Sequence, residues 1–110
     1  MATIYKVLGQ SAPAAATQTT VYTVPSGKQS VVSTIVVANR SGTSRLYRIA
    51  VRPGGATLAS EHYIAYDVTV GGGDSTTLTL GITLTTTDVI AVYATNADLS
   101  FSLFGSEIDL

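Results

Sequence analysis

The stretch Gln29–Pro53, QSVVSTIVVANRSGTSRLYRIAVRP, decides the fold class of this 110-residue chain. Its two ends are rich in β-branched and alternating apolar residues, which pack well on the pleated surface of a strand. Between them lies Asn39–Thr43, a polar cluster of the residue types that tolerate tight turns. The stretch therefore predicts two long strands joined by a turn, forming a central hairpin.

The first arm of this predicted hairpin is apolar on both faces. Simple alternation places Val31, Ile35 and Val37 on one face and Val32, Val36 and Ala38 on the opposite face. A strand that is apolar on both faces has to be covered on both, either by its own chain or by a neighbouring one. The pattern therefore favours an oligomeric protein.

Short apolar and polar alternations separated by turn residues recur along the rest of the chain. Further strands are predicted over Thr3–Leu8, Thr19–Val24, His62–Val70, Ser75–Leu84, Val89–Thr95 and Leu99–Phe104. In the most regular of them, Leu78, Leu80, Ile82 and Leu84 face inward. About eight short strands without a long helix predict an all-β fold, a single antiparallel β-sandwich of jelly-roll or immunoglobulin-like topology.

The length predicts one domain over residues 1–110. Within residues 1–17, the first strand is expected to be followed by a flexible arm, because Pro13 and the short alanine run do not support a helix. The connection 54–61 has room for one short helical turn at most. Residues 105–110 are expected to be a short acidic tail.

Composition limits the classes of partner. Charged residues make up 12% of the chain, about half the usual share, and 17 threonines take much of their place. This fits a surface covered by neighbouring subunits, and it fits equally well a threonine-rich sheet that faces water. The net charge of −1 gives no electrostatic footprint for nucleic acid or for an anionic membrane. With no membrane-length apolar segment and no signal-peptide pattern, we expect no membrane partner and no cleaved leader.

No set of residues has the pattern of a catalytic or metal site. The chain has no cysteine and one histidine, His62, which opens a strand and is more typical of a structural role. No serine lies in a G-x-S-x-G motif, and the carboxylates are scattered rather than paired. Asn39-Arg40-Ser41 matches a glycosylation sequon but is interpreted as a turn. We therefore expect no enzyme activity, no cofactor and no metal.

Arginine and tyrosine are the remaining candidates for contacts. Arg48 and Arg52 share one face of the second arm, and arginine is favoured at protein interfaces. A solvated strand face is the alternative for these arginines. The six tyrosines fit either partial burial in the fold or an interface.

Three segments carry a resemblance to a known group of proteins: TIYKVLGQSAPAA, then VYTVPSGKQSVVSTIVVANRSG with YRIAVRPGG, and then the run from EHYIAYDV through TLTLGITL and TDVIAVYA to LSFSLFGSEI. Over nearly the whole chain, the sequence resembles small structural proteins of tailed bacteriophages, including cyanophages. The resemblance carries no catalytic residues. It implies a β-sandwich that binds the phage particle, often as a trimer, as a capsid cement (decoration) protein. Similar sandwich domains occur in tail spikes, fibres and baseplates.

The sequence thus leads to the hypothesis of a non-enzymatic virion protein, assembled in the bacterial host cytoplasm. It would form a homotrimer, bind the major capsid protein and stabilise the capsid surface. We expect its contacts to include Tyr5, Arg48, Arg52 and Phe104. The first alternative is a tail, fibre or baseplate component involved in assembly or in host-surface or glycan binding, which exposed tyrosines in a groove would favour. A small hydrolase and a host-encoded adhesive β-domain are further alternatives.

Overall fold

The computed structural model describes residues 2–110 as two four-stranded antiparallel sheets packed face to face. The strands are β1 Thr3–Ser11, β2 Thr19–Thr23, β3 Lys28–Asn39, β4 Arg45–Arg52, β5 Tyr63–Val70, β6 Ser75–Leu84, β7 Val89–Ala94 and β8 Leu99–Asp109. Two 3-10 turns, Pro53–Gly55 and Ser60–His62, lie between β4 and β5. No helix within residues 2–110 is long and apolar enough to cross a membrane. The prediction of a β-sandwich of about eight strands is confirmed.

The strand order is that of a jelly roll. Sheet A has the order β1-β8-β3-β6 and sheet B the order β2-β7-β4-β5. The first strand therefore pairs with the last, the second with the seventh, the third with the sixth and the fourth with the fifth. This nested pairing is a long antiparallel ribbon rolled into two sheets, whereas an immunoglobulin-like sandwich pairs several consecutive strands. Of the two topologies left open by the sequence, the structure has the first.

The predicted central hairpin is wrong. The two arms are β3 and β4, and they lie in different sheets, so the turn between them crosses from one layer of the sandwich to the other. β3 pairs with β6 and β8, and β4 pairs with β5 and β7. The turn residues were recognised correctly, but turn chemistry reverses the chain without specifying that the two strands hydrogen-bond to each other.

Asn39 holds this crossing turn in place. Its side chain is almost fully buried, and Nδ2 contacts the carbonyl oxygens of Thr43 at 2.8 Å and of Val70 and Gly71 at 3.1 Å. Its Oδ1 accepts a hydrogen bond from the Ser41 backbone N–H at 2.9 Å. The side-chain amide therefore joins the β3–β4 turn to the β5–β6 turn, and the interpretation of the sequon as a turn is confirmed.

A bulge in β3 changes which residues of this strand face the core. The register with both neighbouring strands shifts between Val32 and Thr34, so Val32 lies on the same side as Ile35. Three fully buried residues form the inner face: Val32, Ile35 and Val37. Val31, Val36 and Ala38 lie on the outer face and are half-buried. The predicted assignment of Val31 and Val32 was wrong, because one extra residue reverses the alternation.

The core lies between the two sheets and is made mainly of aliphatic side chains. Tyr47 and Phe101 are its two largest residues, with ring centroids 6.1 Å apart in an edge-to-face arrangement. From the regular β6 pattern, Leu84 is buried, and Leu78 and Ile82 pack against the core. Leu80 is 36% exposed because it lies at the irregularity opposite the β3 bulge, so its predicted inward orientation was wrong.

Both ends of the chain belong to sheet A. β1 runs to Ser11, and beyond it Pro13 is buried and the Ala16 N–H donates to the Ala94 carbonyl at 2.8 Å. At the other end, β8 continues to Asp109, so the predicted acidic tail is a strand instead. The adjacent strands β1 and β3 pair with β8 on both sides, and this pairing carries the strand to the C-terminus.

Candidate functional site

The four residues predicted as contacts lie on opposite sides of the sandwich. Tyr5 and Phe104 belong to sheet A, and the register places each on the side that faces away from sheet B. Arg48 and Arg52 belong to β4 of sheet B and lie on the side that faces away from sheet A. The structure therefore groups the four residues as two pairs.

The outer face of sheet A, hereafter face A, carries no charged side chain in its cross-strand rows. Residues directly opposite each other share a face, and the rows consist of Thr3, Ile108 and Gln29; Tyr5, Ser106, Val31 and Thr83; Val7, Phe104, Thr34 and Thr79; Gln10, Ser102, Val36 and Thr77; and Ser100, Ala38 and Ser75. The strands of sheet A do contain charged residues, but these lie on the alternate positions. They form two ion pairs, Lys6 with Glu107 and Lys28 with Asp109.

A hollow of about 610 Å³ on face A brings two of the predicted residues together. Tyr5, Val7, Val31 and Phe104 supply its apolar lining, and Lys6, which pairs with Glu107, also lines the hollow. Tyr5 is 85% exposed, the most exposed large apolar residue of the described chain. Its ring is therefore available for a contact outside the fold.

Arg48 is held on the opposite side by a bulge in β5. Tyr66 and Asp67 together face Arg48 across the strand pair, and Asp67 has a positive φ of 52°. The guanidinium donates to the Asp67 carboxylate from Nε at 2.6 Å and from Nη2 at 3.4 Å. Its Cζ lies 4.2 Å from the ring centroid of Tyr66 and 4.4 Å from that of Tyr93. The hydrogen bond to Asp67 raises the pKa of Arg48, and the two rings fix its plane.

Arg52 holds the connection between β4 and β5. Its guanidinium donates to the carbonyl oxygens of Ala56 at 2.6 Å and Gly55 at 3.0 Å, and to Gln18 Oε1 at 3.5 Å. Arg52 therefore stabilises a segment of its own chain. An interface role for Arg48 and Arg52 stays a prediction. The structure shows that both side chains also make contacts within their own chain.

The β4–β5 connection and the outer face of sheet B, hereafter face B, enclose two adjoining hollows. The first, about 180 Å³, is lined by Ala50, Ala91 and larger residues around them; the second is about 440 Å³. Leu58 and Tyr63 line both. We call the combined feature the tyrosine groove and define it by Gln18, Arg48, Leu58, Tyr63, Tyr66 and Tyr93.

No pattern in the sequence indicates that these tyrosines meet. Tyr63 and Tyr66 are three residues apart, a spacing that points to opposite faces of a regular strand. The irregular pairing of β5 brings them together, with ring centroids 4.8 Å apart and planes at 82°. Tyr93 comes from a different strand, directly opposite Arg48. A prediction that treats β5 as a regular strand therefore does not bring these tyrosines together.

A buried polar network joins the two sheets. Tyr22 Oη donates to Glu107 Oε2 at 2.6 Å and lies 2.6 Å from Ser30 Oγ, while Lys6 Nζ donates to Glu107 Oε1 at 3.3 Å. The hydrogen bond from Tyr22, followed by that from Lys6, lowers the pKa of Glu107. Burial and the contact with Glu107 raise the pKa of Tyr22 to about 12. The sequence did not reveal this network, because Glu107 was assigned to a short acidic tail.

The polar side chain of His62 is used within its own chain. His62 Nδ1 accepts a hydrogen bond from the Ala59 backbone N–H at 3.0 Å, which caps the turn before β5. Within residues 2–110, no group of three or more histidine, aspartate or glutamate side chains is close enough to hold a metal ion.

Comparison with known proteins adds no assignment. No protein-family model matches the sequence, and no curated protein matches it. A function for the chain has to come from its own geometry and from the sequence resemblance described above.

Proposed function

We propose that the chain is a non-enzymatic structural protein of a tailed-phage virion, a capsid decoration protein that forms a trimer. In this proposal it binds the major capsid protein through face A and stabilises the capsid surface. The observation that carries the proposal is the absence of charged side chains from the rows of face A.

The composition of face A suits a surface that is buried in an assembly. Removing a charge from water is costly unless it is paired, and the centres of protein interfaces are poor in charge and rich in aromatic residues. Face A offers hydroxyl and aliphatic groups around the exposed ring of Tyr5 and the half-buried ring of Phe104. Its hydroxyls can form hydrogen bonds with a partner without the desolvation cost of an ion.

The size of face A is sufficient for a specific interface. The long and intermediate dimensions of the molecule are 45 and 27 Å, which bound the face at about 1,200 Å². A standard protein interface buries about 800 Å² on each partner. This upper bound exceeds the standard area, so the dimensions of the molecule are compatible with one complete interface on face A.

The edges of the sheets are poorly suited to strand addition. The four edge strands β1, β2, β5 and β6 each have a register irregularity with their neighbour. Bulges at an edge twist its hydrogen-bonding groups away from another chain. Association through a face is therefore favoured over the extension of either sheet.

The fold is compatible with the proposal without specifying it. Jelly rolls form viral capsid domains and also lectin domains, and a fold by itself does not determine function. The resemblance of the sequence to small virion proteins of tailed phages selects the first of these two settings.

The experiment that tests the proposal combines solution mass with rebinding to particles. Light scattering gives the mass of the purified protein, which is then mixed with capsids, stripped of it, from the phage that encodes it. We expect a trimer that rebinds stoichiometrically, and immunogold label on the capsid surface of intact virions. Absence of the chain from virions would contradict the proposal.

Two matched variants test the assignment of face A. Val36→Asp places a charge in the row between Ser102 and Thr77, and Thr69→Asp places the same charge at an exposed position of face B. We expect the first to lose capsid occupancy and the second to retain it. Wild-type occupancy for both variants would exclude face A as the contact.

The tyrosine groove favours a second candidate, a tail, fibre or baseplate component that binds the host surface. Tyr66 is 56% exposed beside the hollow that it shares with Tyr63. Immunogold label on the tail, together with failure to rebind capsids, would favour this candidate over the capsid assignment.

A further inference from the structure

A pair of alanines creates the smaller hollow of the tyrosine groove. Ala50 and Ala91 are directly opposite in β4 and β7, and both lie on face B. They are buried although their side chains point away from the core, because larger residues surround them. The missing side-chain volume leaves the depression of about 180 Å³, with Tyr63 and Tyr93 beside it.

Polar groups with free hydrogen-bonding capacity surround this apolar floor. Within the described chain, the hydroxyls of Tyr63, Tyr66 and Tyr93 and the Nη1 group of Arg48 have no hydrogen-bond partner. Gln18 contributes a side-chain amide whose oxygen makes one long contact, at 3.5 Å, with Arg52. The groove therefore presents both donors and acceptors beside aromatic rings, above a floor whose two alanines are almost fully buried.

The groove is held rigid before any ligand arrives. Two hydrogen bonds to Asp67 and two flanking rings fix the Arg48 guanidinium. Arg52 fixes the connection that carries Leu58 by binding the carbonyl oxygens of Gly55 and Ala56. Rigid sites lose little conformational entropy when a ligand binds.

The lining discriminates among classes of ligand. An apolar side chain of a second copy would desolvate the phenols and the guanidinium without pairing them, which is unfavourable. A cation would find the inner ring faces of Tyr66 and Tyr93 already occupied by Arg48. An anion would meet a guanidinium whose charge is already compensated by Asp67. A neutral ligand with hydroxyl groups and an apolar C–H face can hydrogen-bond to the polar groups at the rim and pack against the apolar floor.

From this geometry we propose that the tyrosine groove binds a neutral oligosaccharide. One sugar ring occupies the alanine-floored hollow between Tyr63 and Tyr93, with hydroxyls bonded to Arg48 Nη1 and Gln18. The next ring lies in the adjoining hollow of about 440 Å³, against Tyr63 and Tyr66. Binding of this kind does not depend on where the protein sits in a virion, so the inference goes beyond the proposed capsid function.

Backbone amide NMR of the intact 110-residue chain tests the inference. Glucose-, galactose-, mannose- and N-acetylglucosamine-based trisaccharides are titrated separately to about 10 mM, where a site with a Kd of about 1 mM is mostly occupied. We expect at least one trisaccharide to shift resonances around Gln18, Tyr63 and Tyr93 and to leave face A unchanged. No shift with any of the four, or shifts centred on face A, would overturn the inference.

Three alanine variants separate recognition from folding. Tyr63→Ala should weaken binding at least about tenfold. Gln18→Ala, in the exposed segment before β2, should weaken it several-fold without a packing defect. Tyr5→Ala removes an equally aromatic residue from face A and should leave the Kd unchanged. Equal loss in Tyr5→Ala, or full affinity in both groove variants, would overturn the inference.

The same titration detects the competing occupant. If a second copy fills the groove, its resonances shift with protein concentration in the absence of sugar. If Tyr63→Ala abolishes such a shift, the groove is a self-association contact and the sugar inference is overturned. This result would leave the capsid test through face A unaffected, because the two sites are on opposite sides of the molecule.

Discussion

Face A and face B are built on the same core but differ in chemistry. Face A is a set of uncharged rows around an apolar hollow. Face B carries an ion pair, a guanidinium between two tyrosine rings and a covering segment. The difference shows that the low charge content of the chain is not uniformly distributed. It is a property of the outer face of sheet A, because the strands of both sheets contain charged residues.

The covering segment explains part of the difference. The connection between β4 and β5 lies against face B, and its carbonyl groups need partners, which Arg52 provides at Gly55 and Ala56. Under the proposed function, uncharged hydroxyl and aliphatic groups would serve where a whole sheet face meets another protein. Charged groups serve where a loop has to be held on a sheet.

The largest expected effect comes from placing a charge on the inner side of β3. Ile35 is fully buried, and Ile35→Asp should destabilise the protein by at least about 3 kcal/mol or prevent folding, because an unpaired buried charge is not compensated. The neighbouring Val36→Asp, on face A, should cost about 1 kcal/mol or less. Urea unfolding followed by circular dichroism measures both. Similar losses for the two variants would mean that β3 does not have the distinct inner and outer sides described.

The next effect concerns the backbone contact beneath the hollow of face A. A Cβ on Gly105 would lie 1.9 Å from the Val31 carbonyl oxygen, so Gly105→Ala forces β8 and β3 apart and should cost about 2 to 3 kcal/mol. Gly81→Ala is the matched control, since nothing lies within 4 Å of its added Cβ. We expect the control to change stability by less than about 0.5 kcal/mol. Equal denaturation midpoints for the two variants would contradict the close approach.

A smaller effect concerns the network between the sheets. Because the folded pKa of Glu107 lies below its ordinary value of 4.5, its contribution is complete above that value and is lost as the pH falls through the folded pKa. Tyr22→Phe removes the main cause of this lowering. The variant should lose about 1.5 kcal/mol at pH 7 and show a weaker decline in stability on acidification.

Unfolding free energies measured between pH 7 and pH 3 test this expectation. Tyr66→Phe is the control, because the Tyr66 hydroxyl has no partner within residues 2–110 and lies on face B. An acid dependence in Tyr22→Phe identical to that of the wild type would show that Glu107 does not depend on the phenol.

The sequence predicted the layers of this fold better than their connections. Alternation in β6 and β8 and the turn residues between strands were enough for an eight-stranded sandwich. Alternation specifies a face but not a pairing partner, so β3 and β4 were joined as a hairpin although they lie in different sheets. The extra residues in β3 and β5 leave no clear mark in the sequence, yet they decide the orientation of Val32 and the meeting of Tyr63 and Tyr66.

For the candidate surfaces too, the sequence predicted which face a residue lies on better than which residues it contacts. Tyr5 and Phe104 were selected separately, and the register of β1 with β8 brings them into one hollow. The arginines were selected as a pair for a shared face, which is correct for Arg48 and Arg52. Their partners, Asp67 and the carbonyl groups of the β4–β5 connection, depend on tertiary structure and could not be read from spacing.

The smallest expected effect sharpens the comparison between the faces. Arg48→Lys keeps the positive charge near Asp67 but loses the planar group that stacks between Tyr66 and Tyr93. We expect no resolvable change in unfolding free energy, since the ion pair is on the surface. Amide and ring resonances of Tyr66 and Tyr93 should shift, while those of face A and the solution mass remain unchanged. Arg40→Lys is the control, because Arg40 contacts the Ala97 carbonyl in a distant turn.

A lower solution mass or weaker capsid occupancy for Arg48→Lys, but not for Arg40→Lys, would contradict this expectation. Arg48 would then contact a neighbouring subunit, as the sequence suggested, and face B would share the interface with face A. Unchanged assembly together with altered tyrosine resonances would separate the two faces by function. The guanidinium would then organise the groove, and association would belong to the uncharged rows on the other side.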